Sequence, residues 1–355
     1  MKHFRVAAAT LWLVPAVLQA PPVRAQDVSY ETLTKVEVPG ALGTMMKAAA
    51  KLGGGSLDMV QKTYIKGNRM RTDMDKSSTI MDLDGRRFIT LDHNAKTYTA
   101  MTFEQMAAQA QRAAEQLQNE RTRAGTRATE KSGQTDLKFR FKTDAADQSE
   151  TIAGYDANRY FLTMEMEGEY TPEGATEKEK GGTLVLLTDM WAARDVPTMK
   201  ALSAFRAASA QEWASAESAI TKAIATAFAD QPGVDVAFEQ SVKEARKIEG
   251  TPLRTVVHFV AVAPDQKFDR ELTTAEKPRS GGVLKAAGKG MLGGLAGRLG
   301  KKQEEQPATE AEQPTQATIL RVSTETRNIS TKAVDPKVFE IPAGYKEVKL
   351  EELMK

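Results

Sequence analysis

LDMVQKTYIKGNRMRTDMDKSSTIMDLDGRRFITLDHNAKTYTAM, residues Leu57–Met101, is the stretch that decides the fold. Short runs rich in β-branched and aromatic residues alternate with polar neighbours, the pattern of half-buried strands. Gly67-Asn68, Asp84-Gly85 and Asp92-His93-Asn94 punctuate them as turns. Asp84-Gly85 is expected to form a type I′ hairpin turn, in which both central residues take positive φ. An antiparallel meander is therefore the body of the chain.

Upstream, Val28–Val38 reads as a first strand. Gly40 to Gly55 places Leu42, Met45, Met46, Ala49 and Leu52 on one helical stripe, with Lys47 and Lys51 opposite, as in a short amphipathic helix. Downstream, Thr102–Arg123 turns to helical period through Met106, Ala110, Ala113 and Leu117. Strands resume at Leu137–Lys142, Glu150–Ile152 and Arg159–Glu167. Thr183–Met190 and Thr255–Ala263 are apolar on both sides, as central strands covered on each face are. Between them lies a helical insertion at about 195–248. Asp195 and Pro197 signal its start, Met199, Leu202 and Phe205 form its first stripe, and Trp213, Ala216, Ile220, Ala223 and Ala227 continue it. Helices therefore pack on at least one face of the sheet. Residues 273–318 are a linker of Lys, Glu, Pro, Gln and Gly with no aromatic residue. Ile319–Ile329 is a late strand, followed by the closing segment Val338–Tyr345. So late a return implies a closed or strongly curved sheet.

Residues 1–25 have the features of a cleaved secretory leader. Lys2 and Arg5 precede an uncharged run from Val6 to Ala20, and Val23 and Ala25 supply the small residues of a cleavage site near Ala25. That segment carries Lys2, Arg5 and Arg24 and no acid, so the remaining chain has 46 basic against 47 acidic residues. Near-neutrality gives no electrostatic footprint for nucleic acid. The chain contains 0 cysteines, which excludes disulfides, thiolate metal sites and a cysteine nucleophile. Export without cysteine points to a bacterial periplasm. The expected division is 1–25 leader, 26–272 sheet with its helical insertion, 273–318 linker, and 319–355 closing strands.

Several pieces, taken in order along the chain, resemble an uncharacterised bacterial envelope family in the group of half-barrel carriers typified by LolA and LolB. They are Tyr64–Asp73, Met81–Asp84, Leu91-Asp92 with Lys96-Thr97-Tyr98, Ile152–Tyr155, Leu187–Trp191 and Glu340–Tyr345. The resemblance implies an α+β fold, a curved antiparallel β half-barrel packed on helices, with an apolar groove on its concave side. It implies a ligand class as well: acyl chains or other hydrophobic molecules.

Candidate residues follow from this combination. Tyr64, Met70, Phe88, Tyr98, Phe139, Phe141, Tyr160 and Trp191 are the expected groove or core side chains, and the 15 methionines suit an adaptable apolar site. Gly281–Lys302 aligns Leu284, Ala287, Met291, Leu295 and Leu299 on one helical face, with Lys285 and Lys289 beside it. The segment holds five positive charges and no acid, the composition of an interfacial helix that meets anionic lipid. Five interrupting glycines, and the acids Glu304, Glu305, Glu310 and Glu312 beyond it that could neutralise the charge, favour a plain linker with a nascent helix over membrane contact. His93 in a turn and His258 in a strand have no second ligand at metal spacing, so neither metal nor cofactor is expected. Asp82 and Asp84 lie one strand period apart, on one face, where acid–base chemistry is conceivable. No G-x-S-x-G elbow frames Ser77 or Ser78. The expected function is non-enzymatic binding of a lipid-like or hydrophobic ligand in the periplasm. An envelope protein–protein interaction module is the alternative, and a hydrolase built on the carboxylates or Ser77/Ser78 is the third.

Overall fold

The computed structural model describes residues 27–40, 43–45, 48, 57–109, 111–112, 115–116, 135–170, 179–210, 239–240, 243–274 and 315–349. The expected leader and the Gly281–Lys302 segment lie outside these residues, as do most of Gly40–Gly55, the end of Thr102–Arg123 and the middle of the helical insertion.

Within them the chain builds one open, curved sheet of 12 strands. These are β1 (Val28–Glu37), β2 (Met59–Lys66), β3 (Arg69–Asp73), β4 (Ser77–Asp82), β5 (Arg87–Asp92), β6 (Thr97–Thr102), β7 (Thr135–Ile152), β8 (Tyr155–Tyr170), β9 (Glu179–Ala193), β10 (Thr251–Val262), β11 (Gln316–Ser330) and β12 (Lys346–Glu347). Their order is β12-β6-β5-β4-β3-β2-β1-β11-β10-β9-β8-β7. Two meanders therefore lie side by side, β1 to β6 and β7 to β11, joined by the antiparallel pairing of β1 with β11. The late strand does not close the sheet. It enters the middle, leaving β12 and β7 as edges. β12 pairs parallel with β6, so the sheet is mixed rather than wholly antiparallel.

The five strands of Leu57–Met101 appear as β2 to β6, but the Asp84-Gly85 turn differs from the expected one. Leu83, Asp84, Gly85 and Arg86 form a four-residue loop between Asp82 and Arg87, and Arg86 takes the positive φ of 49°. Asp82 accepts the Gly85 N–H at 3.1 Å. A Cβ on Gly85 would stand 2.5 Å from the Asp82 carboxylate, so a larger residue there would displace that side chain, and Gly85 itself does not take the positive φ. Asp92 repeats the device by accepting the Ala95 N–H at 2.8 Å, with Lys96 at φ 52°. The turn with two positive-φ residues is instead Ala153-Gly154, at 52° and 85°, which joins β7 to β8. Leu137–Lys142 and Glu150–Ile152 belong to one strand, β7, with an irregularity between Ala145 and Ser149.

Alternation sends each strand's side chains to two faces. Residues 103–109 and 197–210 are helical, and Pro197 is the first helical residue of the second run, as its fixed φ favours. Thr102 and Gln105 cap the first run reciprocally: Thr102 Oγ1 accepts the Gln105 N–H at 3.2 Å and Gln105 Oε1 accepts the Thr102 N–H at 2.9 Å. Phe103, Ala201 and Phe205 from these helices pack with Val28, Ile65 and Met81 of β1, β2 and β4. We call this side the helix face. On the other side Val334 and Phe339 of the C-terminal tail pack on Ile80, Ile89 and Leu91. This is the tail face. Farther along it, Phe268 packs on Val185, Val260 and Val262.

His258 sits on the tail face of β10, only 3% exposed. Among the described residues its Nδ1 has no hydrogen-bond partner. Burial, helped by the charge of Arg321 and opposed by Asp189 and Glu37, pushes its pKa down to about 4. The unfolded chain binds a proton near 6.5 that the fold refuses, so stability falls as pH drops from about 6.5 to about 4. Urea titrations across that window are expected to show a loss of up to about 3 kcal/mol for this group. His258→Leu should remove most of that slope while leaving the transition cooperative.

Candidate functional site

The two faces of β7 to β11 differ sharply in chemistry. Register places Phe139, Met166, Leu184 and Ala261 in one row across four strands. Phe141, Met164, Leu186, Phe259 and Leu320 form the next. Thr143, Leu162, Thr188, Val257, Val322 and Val36 follow, then Ala145, Tyr160, Met190, Thr255, Thr324 and Thr34. No charged residue occurs in these rows. They lie on the helix face, because Val36 and Thr34 share it with Val28 and Tyr30 of β1. Phe139, Phe141, Leu162, Met164, Leu186 and Phe259 are all only half-buried. Among the described residues, the buried clusters reach this surface only at its Ala261 corner.

The reverse side of the same strands carries the charges. Arg140 pairs with Glu165 and Glu167, Arg254 with Glu150 and Glu325, and Arg321 with Glu37. Arg159 grips Asp189 through two hydrogen bonds of 2.8 and 2.6 Å, and its guanidinium lies 4.6 Å from the Phe161 ring centroid and 5.3 Å from that of Trp191. The hydrogen bonds with Asp189 push the Arg159 pKa further up. These cross-strand pairs gather the charge on the reverse side, whose centre at Val185, Leu187, His258 and Val260 is nonetheless buried, and leave the apolar rows without an electrostatic competitor.

The expected binding residues are thus divided. Phe139, Phe141 and Tyr160 fall within the apolar rows. Met70 and Phe88 share that face but pack under the helices against the first cluster. Tyr64 and Tyr98 lie on the tail face beneath Val338, Ile341 and Tyr345, and Trp191 lies beside Arg159 at the other end of that face. Leu162, Met164, Met166, Leu184, Leu186, Met190, Val257, Phe259, Leu320 and Val322 were not expected. Their signal was alternation: Leu162-Thr163-Met164-Glu165-Met166-Glu167 already separates the two sides. A cleft of about 1080 Å³ at the β7 edge belongs mainly to the charged reverse side, lined by Arg140, Lys142, Asp144 and Glu165 with Phe268 and Arg270, and meets the apolar rows only at Phe139 and Phe141. Glu244 closes part of that edge by accepting the Thr143 N–H at 2.8 Å. The expected membrane-contact residues Leu284, Lys285, Lys289, Met291, Leu295 and Leu299 are outside the described residues.

The structure also brings together Ser78 and His93, a pairing that their separation in sequence conceals. Ser78 Oγ lies 2.7 Å from His93 Nε2, and His93 Nδ1 lies 2.7 Å from the Tyr345 hydroxyl. The network assigns the protons. Ser78 Oγ donates to Asp73 Oδ1 at 2.5 Å and accepts from Arg71 Nη2 at 3.0 Å. A hydroxyl has one proton, so His93 Nε2–H must donate to Oγ. The hydroxyl is turned away from its potential base, and Ser78 is fully buried. Arg71 Nη1 also donates to the Val338 carbonyl at 2.6 Å. The arrangement fastens the tail to β3, β4 and the β5–β6 turn. Asp82 and Asp84 do not form a pair either: Asp82 binds the Gly85 N–H and Arg87, while Asp84 accepts from Asn68 Nδ2 at 2.8 Å. Among the described residues no group of acids and histidines could hold a metal ion.

No family model matches the chain, and no curated protein matches its sequence.

The fastening has a measurable consequence. Tyr345→Phe should lower stability by about 1 kcal/mol, and Ser78→Ala by about 2 kcal/mol because Asp73 and Arg71 lose a buried partner. Urea titration checks both. Neither substitution should change binding of a fluorescent fatty acid.

Proposed function

We propose that this chain is a non-enzymatic periplasmic protein that holds a lipid-like or other hydrophobic ligand on the concave, helix-bearing face of a β half-barrel of the LolA type. The observation that carries this reading is the charge-free face of β7 to β11. Its side chains remain half-exposed, while the ion pairs of Arg140, Arg159, Arg254 and Arg321 sit on the reverse side. Flexible Met164, Met166 and Met190 suit chains of varied length and unsaturation. Burying about ten methylenes there would contribute about 8 kcal/mol before the cost of ordering the chain. The absence of cysteine and the leader-like residues 1–25 support export to the periplasm.

Purification of the native protein from periplasm, followed by solvent extraction and mass spectrometry, tests the reading. A stoichiometric apolar ligand is expected. A reproducibly empty protein that also ignores a fluorescent fatty acid would sink it, and one dominant crosslinked protein in intact cells would favour an interaction module instead. Leu186→Lys and Met164→Gln should each weaken fatty-acid affinity at least about tenfold, or 1.4 kcal/mol. Arg140→Gln, on the reverse side of neighbouring β7, should leave affinity unchanged.

A further inference from the structure

The apolar rows of β7 to β11 change character along the strands, because hydroxyl groups enter them in order. The row through Phe139 and Ala261 has none, and neither has the next, through Phe141 and Leu320. The third row brings Thr143 and Thr188, and the fourth brings Tyr160, Thr255, Thr324 and Thr34. One step farther on the same face, Thr326 pairs with Thr32. Strand β1 shows the whole passage on one face. Val36 belongs to the apolar rows, Thr34 and Thr32 follow, and Tyr30 and Val28 belong to the cluster under the helices. From Phe139 to Ala145, the first row to the fourth, is about 20 Å of extended chain, room for a long acyl chain laid along the strands.

These hydroxyls are half-buried yet little used by the protein itself. Thr34 and Thr324 touch only at a long 3.4 Å, and Thr143 donates to the Glu244 carbonyl at 3.0 Å. Among the described residues, Thr188, Thr255 and Tyr160 have no hydrogen-bond partner for their side chains. A pure hydrocarbon laid over them would strip their water and return nothing. A carboxylate or phosphate would lose its hydration where the rows offer no cation, and the charged pair at the β7 edge, Glu244 with Lys247, is already closed on itself. A hydroxyl both donates and accepts, as threonine does, so an uncharged hydroxylated group satisfies this zone without a charge to desolvate.

We infer that the ligand of this face is an amphiphile with an acyl chain and an uncharged, hydroxyl-bearing headgroup. The chain lies over the rows of Phe139 and Phe141, and the headgroup meets Thr188, Thr255, Thr324 and Thr34. The assignment rests on the reading that these rows hold an apolar chain, and adds to it the headgroup class and the direction in which the ligand lies.

Displacement of a fluorescent fatty acid from the full chain, by monopalmitoylglycerol and by palmitate, tests it at about pH 8, where a free carboxyl is ionised. The glycerol ester is expected to bind about tenfold more tightly than palmitate. Thr255→Val combined with Thr324→Val keeps the branched shape that strands favour and removes the hydroxyls. That variant should weaken the ester about tenfold and leave palmitate affinity unchanged, so the two lipids become alike. Thr163→Val, on the reverse side of β8, should leave the ratio as in the wild type. Palmitate binding as tightly as the ester, a ratio that survives the double substitution, or an equal loss with Thr163→Val would overturn the headgroup assignment while leaving the ligand reading intact. Binding of neither lipid would overturn both.

Discussion

The antiparallel ladder between β1 and β11 is the interaction on which the rest depends. Strands β2 to β6 can form from local hairpins, but this ladder joins them through β1 into one sheet with β7 to β11, pairing Val36 with Val322 and Thr34 with Thr324 across nearly the whole chain. Its closure entropy is the largest in the fold, and it grows only slowly with the length of the intervening chain. Register is set by specific contacts: Arg321 with Glu37 at 2.6 Å, and Asn328, at φ 54°, reaching Glu31 at 2.6 Å where the ladder shifts. A slip of one residue would turn Leu320 and Val322 to the charged side and bring Arg321 among the apolar rows. The unbroken apolar rows therefore exist only because this seam is held in phase.

Once the seam is set, coverage differs between the two halves. The β1–β5 half has helices on one face and the C-terminal tail on the other, and both clusters are well buried. In the second half, Phe268 covers part of the tail face, where Leu187 and His258 are buried. The helix face of that half keeps its apolar side chains half-exposed, and the proposed binding rests on this asymmetry. The Ser78–His93–Tyr345 network contributes by fixing the tail, so that the covered half stays covered.

Much of this was legible in the residues, for identifiable reasons. Alternation in Leu57–Met101 announced β2 to β6, because hairpins couple neighbours in sequence. Pro197 announced its helix because the ring fixes φ. The turn at Asp84-Gly85 was misassigned because Asp-Gly serves two geometries, and the deciding contact is made by the Asp82 carboxylate. The candidate site was only partly legible. Alternation groups side chains within a strand, but it does not say which group in β2 shares a face with which group in β7. That relation passes through the β1–β11 register, so Tyr64, Tyr98 and Trp191 could not be separated from Phe139, Phe141 and Tyr160. The same ignorance hid Ser78 from His93, and both of them from Tyr345.

The central claim, that the charge-free face of β7 to β11 is where the protein meets its ligand, is most directly tested by photo-crosslinking. A diazirine-bearing fatty acid would be bound to the full chain, irradiated, and its attachment sites mapped by mass spectrometry. Attachment at Met164, Leu186, Phe259 and their row neighbours is the predicted result. Attachment confined to the tail face, around Tyr64, Tyr98 or Trp191, would contradict it.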